Sequence, residues 1–268
     1  MYKAFFRFRV KPFGKTPDPR FLFLGASHEE ALARLEFALE EREIAVLTGD
    51  IGCGKTTLSR ALMDRLGDEY RFCYIVNPRL SALEFLRTFA RLLAVEKPAP
   101  AKDELLEQIY VAVYASYRSG ICPVIVIDEA QMIADETLFD EIRLLTNFQL
   151  DDRNLLGVVI MGQPELRDML ASPRFEPLRQ RIALHYHLLP LNAEETMEYL
   201  DFRLEAAGGT AGLFTPDAVH RIFELTAGVP RRINTVATNA LLVAFGRDAA
   251  LIDSAIIEEV KDETLLKA

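Results

Sequence analysis

The amino-acid sequence predicts an α/β fold: a three-layer core around a five-stranded parallel sheet, followed by a small C-terminal all-α domain. Three observations predict it. Up to Pro190, short apolar runs alternate with helical patterns, and each run is nearly continuous, as strands covered on both faces require. Past Pro190 the strand-like runs stop and only helical periodicity remains. Between the first strand and its helix, Gly49-Asp-Ile-Gly-Cys-Gly-Lys-Thr56 forms a glycine-rich junction.

Residues 1–24 are irregular and rich in Phe and Pro, including Pro12, Pro17 and Pro19. Ser27-His-Glu-Glu30 has the form of a capping box and opens a helix to about Arg42, with Leu32, Leu35 and Leu39 as its apolar stripe. Ile44-Ala-Val-Leu-Thr48 is the first strand. The helix over 55–66 places Leu58, Leu62 and Leu66 on one face. Arg71–Val76 is the second strand, and a capping box at Ser81 and Glu84 starts a helix to about Ala94. Lys97–Ala101, with Pro98 and Pro100, is a turn before a helix over 103–118. Val124-Ile-Val-Ile-Asp128 is the third strand, and Asp135 caps a helix to about Phe148. Leu155–Met161 and Ile182–Leu188 are the fourth and fifth strands.

Helices then follow at Asn192–Ala207, Thr215–Ala227, Pro230–Phe245 and Asp253–Leu266, with caps at Asn192, Thr215 and Asp253. In the third of these, Ile233, Val236, Ala237, Ala240, Leu241 and Ala244 make one stripe. The chain therefore divides into an N-terminal linker segment (1–26), the α/β core (27–190) and the helical domain (191–268). The last is too short for a generous core of its own and is expected to dock against the first.

Bulk properties exclude several classes. At 50% hydrophobic and 26% charged, the composition is that of an ordinary globular chain. No apolar run approaches the ~18 residues of a membrane span. Arg7 and Arg9 interrupt the aromatic N-terminus before a signal-peptide core forms. The three cysteines, Cys53, Cys73 and Cys122, are odd in number and widely spaced, so they read as reduced thiols of a cytoplasmic protein. His185 and His187 alternate along a strand and could share a face, with no third metal ligand evident. The net charge of −9 argues against a protein whose main business is coating nucleic acid.

The glycine-rich junction carries the chemistry. It fits G-x-x-x-x-G-K-[ST] at every fixed position, and Gly49, Asp50, Ile51, Gly52, Cys53 and Gly54 supply main-chain N–H groups to curl around nucleotide phosphates. Lys55 places a cation on the β/γ oxygens, Thr56 offers its hydroxyl to Mg²⁺, and Thr57 continues the loop into the helix, whose N-terminus favours anions. Asp128 and Glu129 end an apolar strand 73 residues after Lys55. An acid there is the second Mg²⁺ anchor of such sites, and the following Glu is placed to polarise water as a general base. Gln163, at the end of the fourth strand, could orient that water or meet the γ-phosphate. Arg174, Arg179 and Arg181 precede the fifth strand, where an arginine reaching into a neighbouring site would stabilise phosphoryl-transfer charge. Gly228-Val-Pro-Arg231-Arg232 presents Arg231 from a rigid turn as a reporter of γ-phosphate occupancy. The Cys53 thiol, at a helix N-terminus, is expected to ionise readily and to be alkylated in competition with nucleotide.

Taken in order, these residues resemble the AAA+ superfamily of P-loop NTPases, and more narrowly the ExeA-type (general secretion pathway protein A) ATPases of bacterial type II secretion. The likeness covers nearly the whole chain. It is carried by Tyr2-x-x-Phe5-Phe6, Pro12-Phe13, Thr16-Pro-Asp-Pro-Arg-Phe21, Leu47–Thr57, Ile127-Asp-Glu-Ala-Gln131, Leu144-Leu-Thr-Asn-Phe148, Gly162-Gln-Pro-Glu-Leu166, Leu178-Arg-Gln-Arg-Ile182 and Gly228–Asn234. The resemblance implies Walker A at Lys55 and Thr56, Walker B at Asp128 and Glu129, sensor 1 at Gln163 and sensor 2 at Arg231 on a helical lid. It makes Arg181 the arginine finger, with Arg179 as the alternative.

It further implies ATP and Mg²⁺, ATP hydrolysis, a homo-oligomeric ring or filament with sites between subunits, and an N-terminal segment (12–24) near the adenine. The expected setting is the cytoplasmic face of the inner membrane, beside a secretion or related export or pilus complex. Secretion ATPases of this kind continue into a membrane span and a peptidoglycan-binding domain, which these 268 residues do not include. Cys53 stands where Thr is commoner. An ATP-dependent DNA-binding regulator, like the transposition AAA+ proteins, is the alternative function, with the stretch Arg174–Arg181 as its local charge.

Overall fold

The structure, a computed structural model, describes residues 2–14, 19–150 and 153–264. The chain begins with a single turn, α1 (Tyr2–Phe5), and the helix α2 (Ala26–Glu40). Strand β1 (Ile44–Gly49) leads through the glycine-rich junction into α3 (Lys55–Leu66), and β2 (Tyr70–Ile75) follows. Two helices, α4 (Ala82–Leu92) and α5 (Lys102–Arg118), precede β3 (Cys122–Ile127) and α6 (Thr137–Leu145). A two-residue ribbon of β4 (Gln149–Leu150) and β5 (Arg153–Asn154) comes before β6 (Gly157–Gly162). Short helices α7 (Pro164–Leu170) and α8 (Glu176–Arg179) lead to β7 (Ile182–Leu188). Helices α9 (Ala193–Ala206), α10 (Pro216–Thr226), α11 (Pro230–Gly246) and α12 (Ser254–Thr264) complete the described chain.

Five strands form one sheet in the order β2-β3-β6-β1-β7, and every pair is parallel. The three middle strands are buried along their whole length. Successive side chains leave a strand on opposite faces. Ile44, Val46, Ile125, Ile127, Val158 and Ile160 share one core with Phe85, Phe89, Leu105, Ile109 and Ile142 of α4, α5 and α6. The intervening residues, including Ala45, Leu47, Val124, Val126, Val159 and Met161, are equally buried on the other face. That double burial is why each strand reads as an unbroken apolar run.

Two compact units divide the chain: Met1–Ser27, Gly52–Thr57 and Leu189–Ala268 in one, His28–Ile51 and Leu58–Leu188 in the other. The second contains the sheet. In the first, α9 to α12 enclose a core of Leu200, Leu204, Ile222, Ile233, Val236, Ala240, Leu241 and Ile257, and Phe8 and Phe13 of the N-terminal segment are part of it. Phe8 lies so close to Gly209 that a β-carbon there would sit 2.4 Å from its ring. Arg203, itself buried, donates to the carbonyls of Pro12 and Gly14 at 2.7 and 3.3 Å and stacks on the Phe21 ring. The helical unit thus gains apolar area from the first residues of the chain, which a bundle of this size needs.

Several caps stand as predicted. Ser81 and Glu84 form a reciprocal capping box on α4, and Asn192 does the same with Glu195 on α9. Asp253 accepts from Ile256 N at the start of α12. Asp135 lies one residue before the cap position of α6, which Glu136 occupies; its Oδ1 accepts from Thr137 N, while its Oδ2 accepts from Ala82 N and so holds the start of α4 as well. The N-terminus of α2 differs from expectation. That helix starts at Ala26, ahead of the supposed cap, and Ser27 Oγ accepts from Leu189 N at 3.0 Å. Thr215 sits at the cap of α10, but its hydroxyl donates to Ile252 O.

Short helices α7 and α8, absent from the sequence reading, both begin with proline in their first turn and are too brief for periodicity to show. Residues 15–18, in the Pro-rich opening motif, and 265–268, at the predicted end of the last helix, lie outside the described residues. Among the described residues no helix is long and apolar enough to cross a membrane.

Candidate functional site

The sheet places the predicted chemistry at one end. Thr48 pairs with Gly162, so Gly49 and Gln163 leave neighbouring strands at the same level. Ile127 pairs with Ile160, which sets Glu129 level with Gly162. The phosphate loop, the two acids and Gln163 therefore emerge from the carboxyl ends of β1, β3 and β6, where open parallel sheets bind ligands.

Strand β1 ends at Gly49, and the chain passes through Asp50, Ile51, Gly52, Cys53 and Gly54 into Lys55, Thr56 and Thr57 of α3. Gly52 and Gly54 have φ values of 89° and 104°, which only glycine adopts without strain. Space also requires Gly52, because a β-carbon there would meet Arg231 Cβ at 2.6 Å. Arg231 N donates to Gly52 O at 3.3 Å, so the first turn of α11 is bound to the loop's main chain while the Arg231 side chain is exposed. A second glycine makes that approach feasible: at Gly228, φ 72°, a β-carbon would overlap Leu191 O. Lys55 is buried and Thr56 half-buried.

Cys53 corrects one expectation. Its exposure is 0%, and all three cysteines are buried. An alkylating reagent has no path to the thiol in the folded chain. Iodoacetamide should modify the folded protein no faster than it unfolds, as mass spectrometry over time can follow; prompt single-site labelling at Cys53 would contradict this burial.

At the end of β3, Asp128 is 5% exposed and its carboxylate is held from two sides. Oδ1 accepts from Glu129 N at 2.9 Å and Oδ2 accepts from the Tyr74 hydroxyl at 2.9 Å. Glu129 adopts a left-handed backbone with φ 53°, a conformation costing of order 1 kcal/mol for a residue with a β-carbon. Its Oε2 accepts from Gln163 Nε2 at 3.0 Å and from Gln131 Nε2 at 2.6 Å. Gln131 Oε1 in turn accepts from Gln163 N at 3.1 Å, which closes a three-residue clasp. Gln131 and Tyr74 were not singled out from sequence. Gln131 lies within the Asp-Glu-Ala-Gln run, but its partner Gln163 is 32 residues further on.

The arginines separate by environment. Arg174 pairs with Glu136 and Asp140 at 2.9 and 3.4 Å. Arg179 NH1 donates to Leu170 O and Ser172 O, closing the carboxyl end of α7. Arg181 is exposed, and its NH1 donates to Thr146 Oγ1 at 2.9 Å. Much of the charge in the stretch from Arg174 to Arg181 thus meets acids or carbonyls of its own chain. His185 and His187 do share a face: His185 Nε2 and His187 Nδ1 each lie 3.0 Å from Thr48 Oγ1. Burial, aided by His187, pushes the His185 pKa down. Among the described residues no group of three His, Cys, Asp or Glu is arranged to hold a metal ion. A Thr hydroxyl and a buried, oriented carboxylate are nonetheless hard-oxygen donors of the kind Mg²⁺ takes, with water and phosphate supplying the rest.

The AAA domain family matches residues 38–170, the segment from the end of α2 to the end of α7. Across 92% of its length the chain is 39% identical to general secretion pathway protein A of Aeromonas hydrophila. The chain carries an AAA domain. It spans 45% of the length of that curated relative. The AAA fold is shared with solved structures of much lower identity. Cdc6p from Pyrobaculum aerophilum superposes with a TM-score of 0.70 at 21% identity, over 96% of this chain and 71% of that one. The RuvB Holliday junction branch migration motor of Thermotoga maritima gives 0.60 at 19%, over 90% and 70%. These two likenesses extend the fold comparison to the helical region that follows the AAA match.

Proposed function

We propose that this AAA protein binds Mg·ATP in the glycine-rich loop, hydrolyses it with Glu129 as general base, and acts as a homo-oligomer in which Arg181 completes a neighbour's site. The observation that carries the reading is the convergence of Asp128, Glu129 and Gln163 at the carboxyl ends of β3 and β6, the two strands that succeed the loop strand on one side of the sheet, with Gln163 donating to Glu129. Main-chain amides from Gly49 to Gly54 hold the phosphates, and Lys55 neutralises the β/γ oxygens. Thr56 and Asp128 would hold Mg²⁺, which supplies charge neutralisation on the transferring phosphoryl group. Glu129 takes the proton of the attacking water as oxygen bonds to the γ-phosphorus and the bond to ADP breaks. Gln163 fixes the carboxylate that receives this proton. Arg231, joined through its own N–H to the loop at Gly52, is set to answer to the γ-phosphate.

The relative supports a setting. A chain 39% identical to a general secretion pathway protein A fits an energising or regulatory role in assembling a type II secretion complex, or a related export or pilus machine, at the cytoplasmic face of the inner membrane. Calorimetric titration of Mg·ATP into the folded protein tests the base of this reading. A saturable heat at one nucleotide per chain is expected, and a flat trace with material that melts cooperatively overturns it.

A further inference from the structure

We propose that Tyr74 is a positioning residue for the divalent cation, acting through Asp128; the inference rests on the Mg·ATP reading above. Tyr74 lies on β2, an edge strand, paired with Val126, two residues before Asp128. Its half-buried ring carries the hydroxyl forward to donate to Asp128 Oδ2 at 2.9 Å. Glu129 N already holds Oδ1. One donor leaves a carboxylate free to turn about its terminal torsion, which has broad wells. A donor on each oxygen fixes the plane and so the direction in which the carboxylate meets a cation.

The donor is dependable. A phenolic hydroxyl carries its proton in the neutral range and so can donate to Asp128. With that proton on Asp128, the phenol oxygen accepts from Ser59 Oγ at 3.2 Å. Ser59 stands one turn along α3 from Thr56, the other proposed metal anchor. The chain Ser59–Tyr74–Asp128 therefore ties the helix that bears one anchor to the strand that bears the other. Groups that orient metal ligands in this way typically carry a 10- to 100-fold effect on metal affinity.

The test is Tyr74→Phe, which removes the oxygen and keeps the ring. Nucleotide affinity is measured by fluorescence with mant-ATP, first in EDTA and then across a Mg²⁺ series. The expected result is an unchanged affinity in EDTA and a half-saturating Mg²⁺ concentration raised about tenfold. Ser59→Ala should move the same midpoint in the same direction by about two- to threefold, because the phenol loses its supporting donor. A Mg²⁺ midpoint equal to wild type in Tyr74→Phe overturns the proposal. If that variant does not fold, an unmoved midpoint in Ser59→Ala overturns it instead. Wild-type protein that binds no nucleotide, or binds it identically with and without Mg²⁺, points to failure of the underlying function and not of Tyr74.

Discussion

Glu129→Gln should bind Mg·ATP with wild-type affinity while turning it over about 10²- to 10⁴-fold more slowly, the range of general-base contributions. The clasp around Glu129 makes this substitution clean. Its Oε2 only accepts, from Gln163 Nε2 and Gln131 Nε2. The carbonyl oxygen of a glutamine side chain can occupy that place and keep both hydrogen bonds, so the local structure survives. What is lost is the capacity to take a proton from water, since an amide is not a base at neutral pH. Single-turnover hydrolysis measured beside equilibrium binding separates the two effects. A variant that hydrolyses ATP at near the wild-type rate would remove Glu129 from the mechanism.

Arg181→Ala carries the other large effect. An arginine finger is worth about 10³- to 10⁵-fold in phosphoryl transfer, so turnover by the assembled protein should fall by at least ~10³. Nucleotide binding by the isolated subunit should be untouched. Stability should change little, because the side chain is exposed and its hydrogen bond to Thr146 is worth at most about 1–3 kcal/mol. A shared site has a further consequence. Mixing Arg181→Ala with Glu129→Gln brings an intact base from one chain against an intact arginine from the other, and partial activity should return. Absence of rescue at every mixing ratio would argue that each chain hydrolyses ATP alone. Arg179 is the built-in comparison: it closes α7 by donating to Leu170 O and Ser172 O, so Arg179→Ala should lower the melting temperature more than Arg181→Ala.

Most of the sheet could be read from sequence because burial on both faces removes polar positions from β1, β3 and β6. The capping box at Ser81 and the cap at Asn192 were legible for a related reason: each is closed by residues three apart, with no distant partner. Ser27 shows the limit of that logic. Its motif is as good, yet a distant main-chain N–H from Leu189 takes the hydroxyl. The short helices α7 and α8 escaped notice since one or two turns give periodicity nothing to repeat. Cys53 failed in the opposite direction. Its place in the loop suggested an accessible thiol, but accessibility is set by what packs over a residue.

By itself the sequence determined the five strands, the glycine-rich loop with Lys55 and Thr56, and the acids that follow β3, because each is written in contiguous residues whose spacing has a local physical meaning. Only the tertiary structure decided the partners. It brought Tyr74 to Asp128, Gln131 and Gln163 to Glu129, and Phe8 and Phe13 into the helical core, and it separated an exposed Arg181 from the carbonyl-bound Arg179. Hydrogen bonds and packing across tens of residues depend on register and on crossovers between strands, and no local periodicity encodes those.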